Sequence, residues 1–133
     1  MSNKIIDRIV ELIFNKKGYD VKILDLRKLT TITDYFIICS GDSDTQVKAI
    51  ADEVDKQMRA EGVRSWHTEG YRTLNWVLID FVDIVVHVFK KESREYYNLE
   101  KLWGDAPTII AEDPLLKVPV KRKPGRPKKI KSE

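Results

Sequence analysis

Two strands joined by a tight turn are predicted for residues 75–89, NWVLIDFVDIVVHVF, and this segment constrains the fold more than any other. If Val82 and Asp83 form the turn, Phe81 lies opposite Ile84, and the numbers of every facing pair add to 165. Because side chains alternate between the faces of a strand, each face of the hairpin can be examined separately. One face is wholly apolar, which predicts a buried core: Val77, Ile79, Phe81, Ile84, Val86 and Val88.

The opposite face of the hairpin mixes apolar and polar side chains, namely Trp76, Leu78, Asp80, Val85, His87 and Phe89. Two interpretations are open. In the first, helices cover most of this face and Asp80 hydrogen-bonds His87, because buried polar groups need partners. In the second, Trp76 and its neighbours are partly exposed and bind another macromolecule. Asp80 and Glu69 would then form a negative rim suited to a basic partner.

Length and cysteine content indicate one domain without a disulfide. The 133 residues are enough for one compact domain and too few for two. Cys39 lies in the apolar run FIIC, which predicts a buried structural thiol. No apolar run reaches the roughly 20 residues that a membrane-spanning helix requires. The N-terminal MSNKIIDRIVEL lacks the pattern of a signal peptide, so we expect a cytoplasmic protein.

Periodicity predicts the element order α-β-β-α-β-β-β-α, an α/β fold with a mixed sheet of about five strands flanked by helices. Asn3 is placed to cap the first helix and Gly18 to end it. Asp42 or Ser43 can cap the second helix, and Gly62 can end it. Strands are expected at residues 21–26, 34–40, 64–68, 75–81 and 84–89, and a last helix from about residue 92 to 103.

Several segments of the chain resemble the ribosomal silencing factor S family, also called the Iojap-like proteins. The resemblance covers about residues 3–104, nearly the whole part that is expected to fold. The matching segments are TDYFIICSG at 33–41, Glu69-Gly70, WVLID at 76–80, HVF at 87–89, and the run from Arg94 to Trp103 with its Tyr97, Leu99-Glu100 and Leu102-Trp103.

This resemblance implies a fold related to nucleotidyltransferases but without their catalytic activity. It also implies a partner, ribosomal protein fourteen of the large ribosomal subunit, on the face that joins the small subunit. A factor bound there blocks subunit joining and represses translation, typically under starvation. In the family, the tryptophan that matches Trp76 belongs to the partner-binding surface. The predicted partner-binding residues are Trp76, Leu78, Asp80, Glu69, His87 and Tyr97.

Two further expectations concern the hairpin. An exposed apolar sheet face can self-associate, so the sequence leaves two states open for the free protein, a monomer and a homodimer through this surface. The chain also departs from the family at the turn, where Val82 stands in place of the usual glycine. A turn that needs a positive φ is costly at a β-branched residue.

The sequence offers little support for an enzymatic activity. Ser40-Gly41-Asp42-Ser43 precedes a helix, a place suited to anions, but Asp80 and Asp83 flank a turn and are not expected to converge on one metal ion. His67 and His87 are the only histidines, and no activated nucleophile accompanies them. His67 is expected to be a surface strand residue. We therefore predict a non-enzymatic factor without a metal or cofactor.

The charge of the chain is divided unevenly, and its C-terminal part is strongly basic. Residues 117–133 hold eight Lys or Arg and one Glu, a net charge of +7, whereas residues 1–116 hold 16 basic and 20 acidic side chains, a net charge of −4. Residues 114–133 are rich in proline and poor in apolar side chains. We expect a domain of residues 1–113 followed by a disordered tail.

Within this tail, KRKPGRPKK at 121–129 resembles an AT-hook, whose Gly-Arg-Pro core lies in the minor groove of A·T-rich DNA. Residues 125–127 match the core, but Pro124 replaces an expected arginine. The tail could bind DNA selectively, contact ribosomal RNA or other polyanions, or stay solvated. A nucleic-acid-binding module led by the tail is therefore the alternative function. Its candidate residues are Arg122, Lys123, Arg126, Lys128 and Lys129.

Overall fold

The computed structural model describes residues 3–113, which form four helices and six strands. The helices are α1 (Asn3–Asn15), α2 (Asp44–Ala60), α3 (Lys91–Tyr97) and α4 (Leu99–Leu102). The strands are β1 (Tyr19–Asp25), β2 (Tyr35–Gly41), β3 (His67–Glu69), β4 (Trp76–Asp80), β5 (Ile84–Lys90) and β6 (Thr108–Ile110).

All six strands belong to one mixed sheet in the order β3-β4-β5-β2-β1-β6. The central pair, β2 and β5, is parallel, and the other neighbours are antiparallel. The predicted α/β class is confirmed. The predicted hairpin register is confirmed as well, since Trp76 lies opposite Phe89 and Asp80 opposite Val85.

The face of the sheet that is covered by α1 and α2, called the core face below, contains the main hydrophobic core. Alternate residues of the strands point into it, among them Ile37, Val77, Ile79, Val86 and Val88, and all five side chains are inaccessible to solvent. The predicted burial of the cysteine is confirmed, and burial raises the pKa of the Cys39 thiol to about 12. The apolar face of the hairpin is therefore part of the main core, and its burial stabilises the domain.

The opposite face, called the open face below, is covered only in part. Its hairpin residues are the six named above, from Trp76 to Phe89, and β2 adds Phe36 and Ile38 to it. A second, smaller core joins Phe89 and Ile38 to Leu99 of α4 and to Ala106. The short helices thus bury one part of this face and leave the rest with its side chains half-exposed.

The last helix and the sheet edge differ from the prediction. The expected helix at 92–103 is interrupted at Asn98, which adopts a left-handed conformation with φ of 48° and caps α4. Asparagine tolerates this conformation better than most residues. The sheet also has a sixth strand, β6, which pairs with the free edge of β1. The third strand is shorter than expected, His67–Glu69.

The hairpin turn places Val82 at φ of 78°. The Asp83 N–H group donates to the Phe81 carbonyl at 3.0 Å, and the Phe81 N–H donates to Ile84 at 2.8 Å. A three-residue turn with positive φ at its centre is rare and strained, above all for a β-branched residue. One oxygen of Asp80 holds the turn in place by accepting from the Val82 N–H at 2.7 Å.

Within the described part of the chain, no helix has the length and apolar composition needed to cross a membrane. The predictions for residues 114–133, including the AT-hook-like segment, lie outside the described residues.

Candidate docking surface on the open face

A row of aromatic rings crosses the open face from β4 to the segment after α4. The ring centroid of Trp76 is 5.8 Å from that of His87, and His87 is 4.4 Å from Phe36. Phe36 in turn meets Trp103 edge to face at 5.8 Å. Tyr97 of α3 lies 4.8 Å from Trp76 and extends the row at its other end. We call these five residues the aromatic row.

The central polar contact of the aromatic row joins Trp76 and His87. The indole Nε1–H donates a hydrogen bond to His87 Nδ1 at 3.0 Å. This bond needs an unprotonated Nδ1, and burial lowers the pKa of His87 to about 3, so the imidazole is neutral at physiological pH. The interpretation that paired Asp80 with His87 is wrong, because Asp80 faces Val85 and the indole occupies Nδ1.

The indole of Trp76 is held in place but not sealed in the interior. It stacks on Phe89 with ring centroids 4.9 Å apart, while Tyr97 covers another side. Trp76 nevertheless remains half-buried, and Tyr97 is 48% exposed. Gly70 allows the chain to pass close to the backbone of β4, since a Cβ atom there would lie 1.9 Å from the Trp76 carbonyl oxygen. An ordered, partly exposed indole of this kind can anchor a protein–protein contact.

Acidic groups lie along the edge of the same face. Glu69 is paired with Leu78 across β3 and β4, and His67 is paired with Asp80. His67 Nε2 is 2.9 Å from Glu69 Oε2, and its Nδ1 is 3.8 Å from Asp80 Oδ2. The expectation that His67 is a surface strand residue is confirmed, because it is half-exposed on the edge strand. These groups form an edge of negative character beside the apolar centre.

Arg94 links α3 and α4 to the sheet through hydrogen bonds. Its Nη1 donates to the Asp20 carbonyl at 2.6 Å and to Ser40 Oγ at 2.8 Å. Its Nε and Nη2 donate to the two carboxylate oxygens of Glu100 at 3.3 and 3.0 Å, and Lys22 reaches the same carboxylate at 3.2 Å. Since α3 also carries Tyr97, this network fixes the position of one end of the aromatic row.

The groove beside Ser40 is poorly suited to a triphosphate. It has a volume of about 560 Å³, and three cations line it, of which Arg94 and Lys22 are already paired with Glu100. Two more carboxylates, Asp20 and Glu95, also line the groove and would repel phosphate oxygens. Residues 3–113 contain no group of three or more side chains able to hold a metal ion. Nothing in this groove indicates nucleotidyl transfer.

The structure brings most of the predicted partner-binding residues to one surface. Trp76, Leu78, Asp80 and Glu69 lie on the open face or its edge, and Tyr97 borders it. His87 lies beneath this surface and is only 3% exposed.

Sequence reasoning missed two members of the aromatic row, Phe36 and Trp103. The alternation in DYFIICS could have placed Phe36 on the same face as His87, but only with the parallel pairing of β2 and β5 in hand.

Comparisons with known proteins agree with the resemblance that the sequence suggested. The family model described as "Ribosomal silencing factor during starvation" matches residues 1–133. A ribosomal silencing factor RsfS from Halalkalibacterium halodurans is 47% identical over 113 residues, which cover 84% of this chain and 97% of that protein. One from Bacillus subtilis is 50% identical over 93 residues, 70% of this chain and 79% of that protein.

Solved structures support the same assignment. A crystal structure of a protein from Chromobacterium violaceum superposes with a TM-score of 0.76 at 38% identity, covering 78% of this chain and 87% of that one. Another, from Bacillus halodurans, gives 0.73 at 41% identity over 82% and 99% of the two chains. The extent of these matches and the agreement of the fold lead to one conclusion: this chain belongs to the RsfS family of ribosomal silencing factors.

Proposed function

We propose that this protein represses translation in the cytoplasm by docking on the large ribosomal subunit, through ribosomal protein fourteen, so that the small subunit cannot join. The observation that carries the proposal is the half-buried indole of Trp76, held by His87 and Tyr97 on a sheet face that its own helices leave partly uncovered. The proposed role is steric and needs no catalytic residue.

The proposed contact has an apolar centre and an acidic edge. Trp76 and Leu78 supply the apolar anchor, and Tyr97 borders it. Glu69 and Asp80 present carboxylates to a basic partner, which steers association and rejects acidic competitors. The fixed position of the indole limits the entropy that is lost on binding.

Truncation of the anchor tests the proposal. Trp76→Ala is expected to weaken association with purified large subunits at least about tenfold, since a loss of ~1.4 kcal/mol corresponds to that factor. The measurement is cosedimentation over a range of concentrations, with circular dichroism to verify the fold.

Ile109→Ala is the matched control. Ile109 is a large apolar side chain, 64% exposed, but it lies on β6 at the far edge of the sheet. It should leave association unchanged. Unaltered binding by a natively folded Trp76→Ala protein would refute the proposed docking surface.

The charge of residues 117–133, a net +7, favours a second candidate function, nucleic-acid binding by the tail. As an accessory to docking, the tail would contact ribosomal RNA. Deleting these residues is expected to reduce the salt dependence of association without abolishing docking. The slope of log affinity against log salt concentration should become shallower by roughly 0.7–0.9 for each phosphate that the tail neutralises. Complete loss of affinity at low salt would make the tail the main binding element.

The open face also offers a contact for self-association. We propose that the free protein forms a homodimer through the surface that it uses for docking, because both partners would cover the same apolar centre. Large subunits should then convert dimer to bound monomer, as measured by analytical ultracentrifugation.

A further inference from the structure

His87 has a polar atom that the contacts described above do not use. An indole can only donate a hydrogen bond, so His87 Nδ1 is the acceptor from Trp76, and the neutral ring carries its proton on Nε2. This Nε2–H group is buried and has no hydrogen-bond partner within residues 3–113. A buried donor without an acceptor is unfavourable, and such groups are rare in folded proteins.

The position of this donor is as informative as its lack of a partner. His87 is in the middle of the aromatic row, between the rings of Trp76 and Phe36, and its cross-strand neighbour is Leu78. These three neighbours are only half-buried. The ring that carries the unused donor therefore lies on the open face, among residues of the proposed contact surface, and not in the core between the sheet and α1 and α2.

We propose that the docked partner supplies the hydrogen-bond acceptor for His87 Nε2–H. This inference rests on the proposed function and names a specificity-determining residue for it. Half-exposed side chains beside His87, such as Phe36 and Leu78, change rotamer rapidly, so docking can rearrange the packing around the imidazole.

The chemistry of the surroundings defines the acceptor. A carboxylate would have to enter an apolar row next to Glu69 and Asp80, where its charge would be repelled and desolvated. A neutral oxygen avoids both costs. The acceptor is therefore a backbone carbonyl, a side-chain amide or a hydroxyl of the partner. A partner without an acceptor at this point would leave the donor unpaired, so the bond would contribute to selectivity.

Two substitutions separate this role from simple support of the indole. His87→Gln places a donor near the position of Nε2 but offers no acceptor at the position of Nδ1. His87→Asn does the reverse, since its side-chain oxygen occupies the position of Nδ1. If the partner bonds to Nε2–H, association with purified large subunits should fall at least about tenfold in His87→Asn. It should fall by a clearly smaller factor in His87→Gln, which gives up only the hydrogen bond from the indole.

The opposite order would overturn the inference, because it would mean that His87 acts only by holding Trp76. Equal losses in both variants would also overturn it. Failure of the proposed function itself gives a different result, since Trp76→Ala would then bind normally.

A measurement on the unaltered protein is independent of whether the variants fold. In protein labelled with nitrogen-15 at histidine, the His87 Nε2–H resonance should move downfield when isolated ribosomal protein fourteen is added. A complex that forms without this shift would contradict the proposal.

Discussion

The two faces of the sheet are built from the same strands but differ in how completely they are covered. On the core face, α1 and α2 exclude water from an aliphatic interior, and no side chain of the hairpin there needs a polar partner. On the open face, two short helices leave most rings of the aromatic row partly exposed, and the buried His87 accepts a hydrogen bond from Trp76. Alternation alone thus specifies which residues share a face, whereas the helices decide which face is left for a partner.

Neighbouring residues of β4 provide the most direct test of this difference. Ile79 points into the core face and is 0% exposed, and Leu78 points to the open face and is half-buried. Ile79→Ala should lower the free energy of unfolding by about 3–4 kcal/mol, because it leaves a cavity in a closed core. Leu78→Ala should cost less than about 1 kcal/mol but weaken association with large subunits. Urea denaturation and cosedimentation measure the two effects. Similar losses of stability would mean that both faces are core.

Replacing Arg94, which links α3 and α4 to the sheet, should have the next largest effect on stability. Arg94→Met is expected to lower the free energy of unfolding by about 2–3 kcal/mol at pH 7, since it leaves the half-buried Glu100 with Lys22 alone. Lys91→Met, which removes an exposed cation from the same helix, should change stability little. Loss of Arg94 should also displace Tyr97 of α3, and the fluorescence of the neighbouring Trp76 should change as a result.

The same network gives the effect of Arg94 a pH dependence. Although burial alone would raise the pKa of Glu100, hydrogen bonds and charge from Arg94 and then Lys22 hold it below its ordinary value. A carboxyl group with a lowered pKa stabilises the fold above its unfolded pKa, about 4.3, and loses this contribution as the pH falls through the folded pKa. The difference between Arg94→Met and the original protein should narrow on acidification. A difference that stays constant as the pH falls from 7 to about 3, well below the ordinary pKa of a glutamate, would exclude the pairing as its source.

Relief of strain at the hairpin turn should raise the free energy of unfolding, by less than the losses expected for Ile79→Ala and Arg94→Met. Val82→Gly should stabilise the protein by about 1 kcal/mol, since glycine adopts a φ of 78° without the steric cost that valine bears. Val82→Ala keeps the Cβ atom and is the matched control, with little gain expected. Thermal unfolding followed by circular dichroism measures both. Destabilisation by glycine would show that the turn is not strained in the way its φ indicates.

The sequence was sufficient to predict the hairpin register because a turn at Val82 and Asp83 and a period of two leave few alternatives. The register from Trp76 opposite Phe89 to Asp80 opposite Val85 followed from these two facts. The polar contact was harder to predict. Asp80 and His87 were the obvious partners by residue type, yet the indole Nε1–H, diagonally across the strands, reaches the imidazole instead.

Other features depend on contacts that are distant in the chain. Strand β6 has three exposed residues and shows no alternation, and it exists because β1 offers a free edge. Phe36 enters the aromatic row only through the parallel pairing of β2 with β5. The break between α3 and α4 was closer to being predictable, since Asn98 is a residue that accepts the left-handed conformation.

The position of β6 has a consequence for how the whole chain could engage a large assembly. Four inter-strand spacings separate β4 from β6, roughly 19 Å in total. The twenty residues that follow Asp113 therefore start from the flank of the domain remote from Trp76, with a contour length of up to about 66–72 Å. Under the proposed docking through Trp76, a contact made by the lysines and arginines of residues 117–133 would add an electrostatic attachment to an apolar one. Each attachment would then raise the effective concentration of the other.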